Sequence, residues 1–261
     1  DEPIEVDQGN GEIWRPENYD GRPTGAHTLR YGIEQSKNLM TVRLARDVGM
    51  PLVSEYSKRF GVYEDMPPFL SMSLGAGETT VLRMTTAYSM MANGGRRIRS
   101  TLIDRIQDRW GRTIYKHDQR VCQGCDAEKW ANQNEPRLID KREQVLDPLT
   151  AYQITSMMEG VIQRGTATNV QLPVPVAGKT GTTNEAKDVW FIGFTSNVVA
   201  GCYMGYDNPR GLGPKAFGGT LCVPVFQAFM EEAVKRYGGT AFKLPPGGHF
   251  VNIDRYTGEQ L

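Results

Sequence analysis

Ala177-Gly178-Lys179-Thr180-Gly181-Thr182-Thr183 reads as a strand with its side chains pared back. Valine and proline alternate through residues 173–176 before it. A polar turn covers residues 184–188 after it, and Val189-Trp190-Phe191-Ile192-Gly193-Phe194 follows as a second strand. Gly178 and Gly181 let another backbone or a ligand come close. Period-two alternation sends Thr180 and Thr182 to one side, and Lys179 supplies positive charge at the same spot. An extended peptide ending in a carboxylate would find hydroxyl donors, a cation and a free backbone edge there. For a lone Lys-Thr-Gly, a merely solvated hairpin is the better reading, because three-residue matches are common by chance.

Working outward, a third strand covers residues 198–206, and short turns make the three antiparallel. The Lys179 strand then lies at or near an edge. After a glycine-rich loop, Thr220 and Pro224 open a last helix carrying Phe226, Phe229, Met230, Ala233 and Tyr237. Upstream, Asp147-Pro148 starts a helix with Ala151, Ile154, Met158 and Val161 on one face. Thr79 or Thr80 caps another, striped by Val81, Met84, Ala87, Tyr88 and Met91. Thr28 caps a helix from Leu29 that breaks at residues 35–38 and resumes to about Val48. Pro51 opens a further helix that ends at Gly61. Residues 96–146 form a β-hairpin and loop excursion turning at Trp110-Gly111-Arg112, and residues 240–261 form a short β tail. The fold class is mixed α/β of the α+β type, an antiparallel sheet flanked by helices.

Lys+Arg and Asp+Glu both number 30 in the 261 residues. The balance excludes the basic excess of a nucleic-acid-binding domain. No apolar run within residues 1–261 approaches a membrane span, and any targeting segment is expected upstream of Asp1. The sequence opens on Asp1, so it is expected to be a piece of something longer. Cys122 and Cys125 have three readings: a zinc half-site, a redox pair or a local disulfide. His27, His117 and His249 are not at ligand spacing, and Gln123-Gly124 belongs to a turn, which favours the disulfide. Cys202 and Cys222 read as buried small apolar residues. No metal and no cofactor is expected.

Ser36-Lys37-Asn38 sits at the helix interruption, where a break projects Ser36 and Asn38 out of the packed helices. Serine acyl-enzymes carry Ser-x-x-Lys, Ser-Asp-Asn and Lys-Thr-Gly in that order. The second motif is present as a variant and the third in full. Leu74-Gly75-Ala76-Gly77-Glu78, Met91-Ala92-Asn93-Gly94-Gly95, Arg164-Gly165-Thr166-Ala167, Asp188-Val189-Trp190-Phe191 and Gly205-Tyr206-Asp207 accompany them. With these motifs the sequence resembles the transpeptidase domain of bacterial class A penicillin-binding proteins over nearly its whole length.

The resemblance implies a penicillin-binding fold that cross-links peptidoglycan stem peptides ending in D-Ala-D-Ala and is acylated by β-lactams. Ser36 would hand a proton to the leaving amine, with Lys179 beside it. Asn38 would bind the donor's amide. The Thr180 and Thr182 hydroxyls would take the terminal carboxylate, Gly181 would line the substrate-binding strand between them, and the Thr182 N–H would serve the oxyanion. The partners implied are stem peptides on lipid II-derived glycan strands and β-lactam antibiotics. The setting implied is the periplasmic face of the inner membrane, with a glycosyltransferase domain upstream.

None of the nine serines has a lysine three residues on. The nucleophile is therefore expected before Asp1, and residues 1–261 to be an incomplete transpeptidase domain that forms no acyl-enzyme alone. Exposed apolar surface is expected where the rest would pack. The rival readings are a non-acylating peptidoglycan-peptide binder and a β-lactamase relative.

Overall fold

The strand carrying Lys179 and the one after the polar turn pair as expected in the computed structural model, which describes residues 1–7, 11–129, 131–134 and 136–261. In chain order, β1 (Val6–Asp7) and β2 (Ile13–Trp14) form a small ribbon. Helices α1 (Leu29–Glu34), α2 (Asn38–Val48) and α3 (Met50–Arg59) follow. After a 3-10 turn, Leu70–Leu74, comes α4 (Val81–Ala92). Two hairpins, β3 (Arg105–Gln107) with β4 (Thr113–Lys116) and β5 (Val121–Gln123) with β6 (Arg137–Ile139), make up the excursion. Its Trp130 and Glu135 lie outside the described residues. Then come α5 (Pro148–Gln163), β7 (Ala177–Thr182), β8 (Asp188–Phe194), β9 (Val199–Gly205) and α6 (Gly218–Tyr237).

Thr28 and Asp147 cap as expected, and of Thr79 and Thr80 it is Thr80 that caps. Thr28 accepts from the Tyr31 N–H, Thr80 from Arg83 and Asp147 from Thr150. Each satisfies one of the orphan donors of a first helical turn.

The main sheet has the order β7-β8-β9, all antiparallel, so β7 is an edge. Its two faces are covered by different helices. Phe191 packs edge-on against Phe226 of α6, with Val189, Cys202, Cys222 and Met230 around them. On the opposite face, Ala177 and Phe194 meet Met158 of α5 and Tyr88 and Met91 of α4. Gly178 opens space for the core rather than for a ligand. A Cβ there would lie 2.7 Å from the Phe191 ring, and one on Gly193, its cross-strand partner, 2.8 Å from both Phe191 and Phe226.

Two expectations are corrected, one for Cys202 and Cys222 and one for residues 240–261. Cys202 and Cys222 are buried, but they are bonded to each other, their Cα atoms 5.5 Å apart. The register of β9 points Cys202 at α6, which the sequence spacing of the pair does not reveal. Phe229 and Tyr237 lie on the exposed side of α6, because the buried stripe runs through Cys222, Val223, Phe226, Met230 and Ala233. Residues 240–261 carry one isolated bridge, Ile253 to Gln260, and no extended strand. Cys122 and Cys125 are bonded as well.

An apolar groove of about 550 Å³ runs between α4, β9 and α6, lined by Leu82, Val199, Ala200, Val225 and Phe229 among others. No helix among the described residues is long and apolar enough to cross a membrane.

The Cys202–Cys222 bond ties the sheet to α6 across 20 residues. Replacing both cysteines by alanine is expected to lower stability by about 2–3 kcal/mol, read as a lower urea midpoint. An unchanged midpoint would mean that packing alone holds α6 on the sheet.

Candidate active site

The break between α1 and α2 is tight. Backbone N–H groups of Ser36 and Lys37 reach back to Ile33 and Gly32. Ser36 itself takes φ 53°, the left-handed region that non-glycine residues seldom occupy. That conformation turns the Ser36 hydroxyl out of the helix pair and toward β7. The Lys179 ammonium donates to Ser36 Oγ at 2.7 Å and to the Thr180 carbonyl at 2.9 Å. Both acceptors are neutral. Burial is therefore not offset by a paired carboxylate, and it pulls the Lys179 pKa down from 10.5 to about 8.

The other two members of the Ser36 turn are held from behind. Lys37 is buried and points away from Lys179. Its ammonium meets Asp20 at 2.9 Å and Asp1 at 3.7 Å. The Lys37 hydrogen bond holds the Asp20 carboxyl below the usual carboxylate range. Asn18 completes this cluster, donating to the Asp1 carboxylate and accepting from the Leu39 N–H in the first turn of α2. Asn38 donates its Nδ2 to the Glu17 carbonyl at 2.8 Å. The acceptor half of its amide is what it can offer a substrate N–H.

The threonines do not share a side with Lys179. Lys179 and Gly181 pair with Ile192 and Trp190, while Thr180 and Thr182 pair with Phe191 and Val189 on the α6 face. The cation and the hydroxyls therefore flank the free edge of β7 from opposite faces. Thr182 Oγ1 accepts from the Gly218 N–H at 3.2 Å, at the start of α6. Thr180 Oγ1 lies 2.6 Å from Thr166 Oγ1. Gly218 allows this approach, since a Cβ would lie 2.1 Å from the Trp190 carbonyl oxygen and 3.0 Å from that of Gly181. Gly181 sits beneath Trp190, which packs against Tyr203 with ring centroids 4.9 Å apart.

An ion pair with a buried carboxylate and a partly exposed guanidinium locks these parts together, and sequence reasoning gave it no role. Glu34 closes α1 with 2 % of its surface exposed, and Arg164 donates to it at 2.5 Å and 3.4 Å. Gln35 donates to the Arg164 carbonyl, and the Thr166 N–H donates to the Glu34 carbonyl. The Arg164-Gly165-Thr166 segment is thereby wedged between the Ser36 turn and β7. The only signal for it in the sequence was that motif, noted without a function. Among the described residues no group of three or more His, Cys, Asp or Glu side chains could hold a metal ion.

Such a site can bind an extended anionic peptide along β7 and supply a hydroxyl proton, from Ser36, beside a cation. It supplies the proton donor and the cation that an acyl transfer uses beside its nucleophile. Comparison with known proteins identifies the family. The penicillin binding protein transpeptidase domain matches residues 4–231. Penicillin-binding protein 1A of Rickettsia bellii is 43% identical over 263 residues, which take in 99% of this chain and 33% of that protein. Penicillin-binding protein 1A of Neisseria gonorrhoeae is 39% identical over 255 residues, 97% of this chain and 30% of that protein. Among solved structures, penicillin-binding protein 1A from Haemophilus influenzae superposes with a TM-score of 0.83 at 26% identity, covering 99% of this chain and 42% of that one. The chain thus spans about a third of the length of these curated relatives.

Proposed function

Since this chain belongs to the penicillin-binding protein transpeptidase domain family, we propose that it is the substrate-holding part of a peptidoglycan D,D-transpeptidase. The observation that carries the reading is the 2.7 Å contact between Lys179 and Ser36, which lie 143 residues apart in sequence. Two motifs with no local reason to meet form one site.

In this reading a serine outside residues 1–261 attacks the penultimate D-Ala carbonyl of a stem peptide laid along β7. The amide C–N bond breaks, the Ser36 hydroxyl protonates the departing D-Ala amine, and the proton given up by the attacking serine restores the Ser36 hydroxyl. Lys179, polarising Ser36 Oγ, stabilises the oxygen that loses the proton. Asn38 holds the donor's amide. Thr180 and Thr182 take its terminal carboxylate, Gly181 keeps the strand surface clear, and the Thr182 N–H serves the developing oxyanion. An amine from a neighbouring stem then resolves the ester. β-Lactams enter by the same route and stall at the ester. The whole protein would also carry the glycosyltransferase and be anchored in the inner membrane with this site facing the periplasm. Both disulfides suit that oxidising compartment.

A fluorescent penicillin tests the reading. It is expected to label the full-length protein covalently and to leave residues 1–261 alone unlabelled. Labelling of residues 1–261 would place the nucleophile within this chain. An unlabelled full-length protein that still binds stem peptides would make it a peptide-binding protein instead.

A further inference from the structure

Thr182 and Thr180 are placed alike, but only one has its proton direction fixed. The donor to Thr182 Oγ1 is a backbone N–H, that of Gly218, so the oxygen is the acceptor and the hydroxyl proton stays available. Thr180 Oγ1 meets another hydroxyl, Thr166 Oγ1, at 2.6 Å, and either can donate. If Thr180 donates, its proton is spent inside the protein. If Thr166 donates, both threonines present protons to the β7 edge, which is what an anion there requires.

Thr166 is not at this place by accident of a loose loop. Its N–H donates to the carbonyl of buried Glu34. The neighbouring Gly165 has no room for a side chain, since a Cβ would lie 2.2 Å from that same carbonyl oxygen. Gly219, the second residue of α6, approaches the Thr166 carbonyl so closely that a Cβ would lie 2.8 Å away. Backbone from two elements, the end of α1 and the start of α6, holds Thr166 opposite Thr180.

We infer that Thr166 is a positioning residue for carboxylate recognition: its hydroxyl donates to Thr180 and thereby frees the Thr180 proton for the terminal carboxylate of the stem peptide or β-lactam. The inference rests on the transpeptidase reading above. Thr166 meets Thr180 and acts on the carboxylate through it. Its effect is therefore confined to ligands that carry the carboxylate.

Acylation of the full-length protein by benzylpenicillin and by its methyl ester separates this role from a merely structural one. Thr166→Val keeps the shape and removes the hydroxyl. It is expected to lower the second-order rate constant for benzylpenicillin roughly tenfold and to change that for the ester by less than about twofold. Thr166→Ser restores the benzylpenicillin rate. With Thr180→Val already present, Thr166→Val has no further effect. Equal slowing of acid and ester, failure of the serine variant to rescue, or full additivity with Thr180→Val would overturn the assignment. So would an unaffected Thr166→Val in a wild-type background that acylates normally, and that result leaves the transpeptidase reading standing. A wild-type protein that is never acylated overturns the underlying reading and this inference with it.

Discussion

Lys179→Ala in the full-length protein is expected to slow acylation by penicillin on the order of 10³-fold while the fold survives. The side chain contributes one cation, aimed at Ser36 Oγ and at the carbonyl of the next residue on its own strand. Nothing in that pair of contacts holds β7 to β8, whose ladder is backbone. The stability consequence has the opposite sign to the activity loss. A lysine pKa depressed to about 8 means that the folded protein disfavours the charged form. Between about 8 and 10.5 the unfolded chain binds a proton that the native state lacks, so wild-type stability rises with pH across that window. Below it the native state bears the whole cost of burying the cation. Lys179→Met removes that cost and is expected to gain about 1–2 kcal/mol at pH 7, a figure discounted because part of the side chain still meets solvent. Thermal melts of wild type and Lys179→Met from pH 6 to 10 check it, the gap between them closing as pH rises. A Lys179→Met protein less stable than wild type at pH 7 would show that the ammonium supports the fold. Acylation at near-normal rates in Lys179→Ala would remove the residue from the chemistry.

The elements around this site were legible because local rules fix them. Thr28 and Asp147 mark their helix starts locally, Thr79 and Thr80 narrow the start of α4 to two positions, and the short turns between residues 177 and 205 admit only antiparallel pairing. The meeting of Ser36 with Lys179 came from the family resemblance and not from periodicity, since no local signal spans 143 residues. Contacts made across the fold were hidden for the same reason. Cys202 and Cys222 each looked like an ordinary buried residue until the β9 register aimed one at the other. Thr180 and Thr182 were correctly assigned to one side of the strand. That this side faces α6, opposite Lys179, depends on which helix covers which face. Lys37 read as a substitution within the site motif, yet it serves the segment behind it, through Asp20 and Asp1. Glu34 was invisible as a structural residue because a glutamate ending a short helix is ordinarily solvated.

Breaking the Glu34–Arg164 pair from one side is expected to be the most damaging change to the fold, and to injure the site as it does so. Arg164→Ala leaves the Glu34 carboxylate buried without its main partner, for which about 3 kcal/mol is the expected loss. Arg255, 3.9 Å from the carboxylate, is too distant and too exposed to replace it. The space around Glu34 is already shaped for this pair. A Cβ on Gly160 would lie 2.0 Å from its carboxylate oxygen and 2.7 Å from Arg164 Nη2. The carboxylate therefore cannot swing into α5 to find water. Its escape route is outward, which pulls on Gln35 and Ser36 and loosens the strained turn that aims the Ser36 hydroxyl at Lys179. Arg164→Ala should thus reduce both the melting temperature and the acylation rate, whereas Arg164→Lys, keeping a charge but not the two-pronged geometry, should fall between. The double change Glu34→Gln with Arg164→Ala separates the two effects. It removes the unpaired charge and recovers much of the stability, but it does not rebuild the wedge between the Ser36 turn and β7. Acylation is then expected to stay low while the melting temperature climbs back. If activity returned in step with stability, the pair would hold the fold together without placing Ser36.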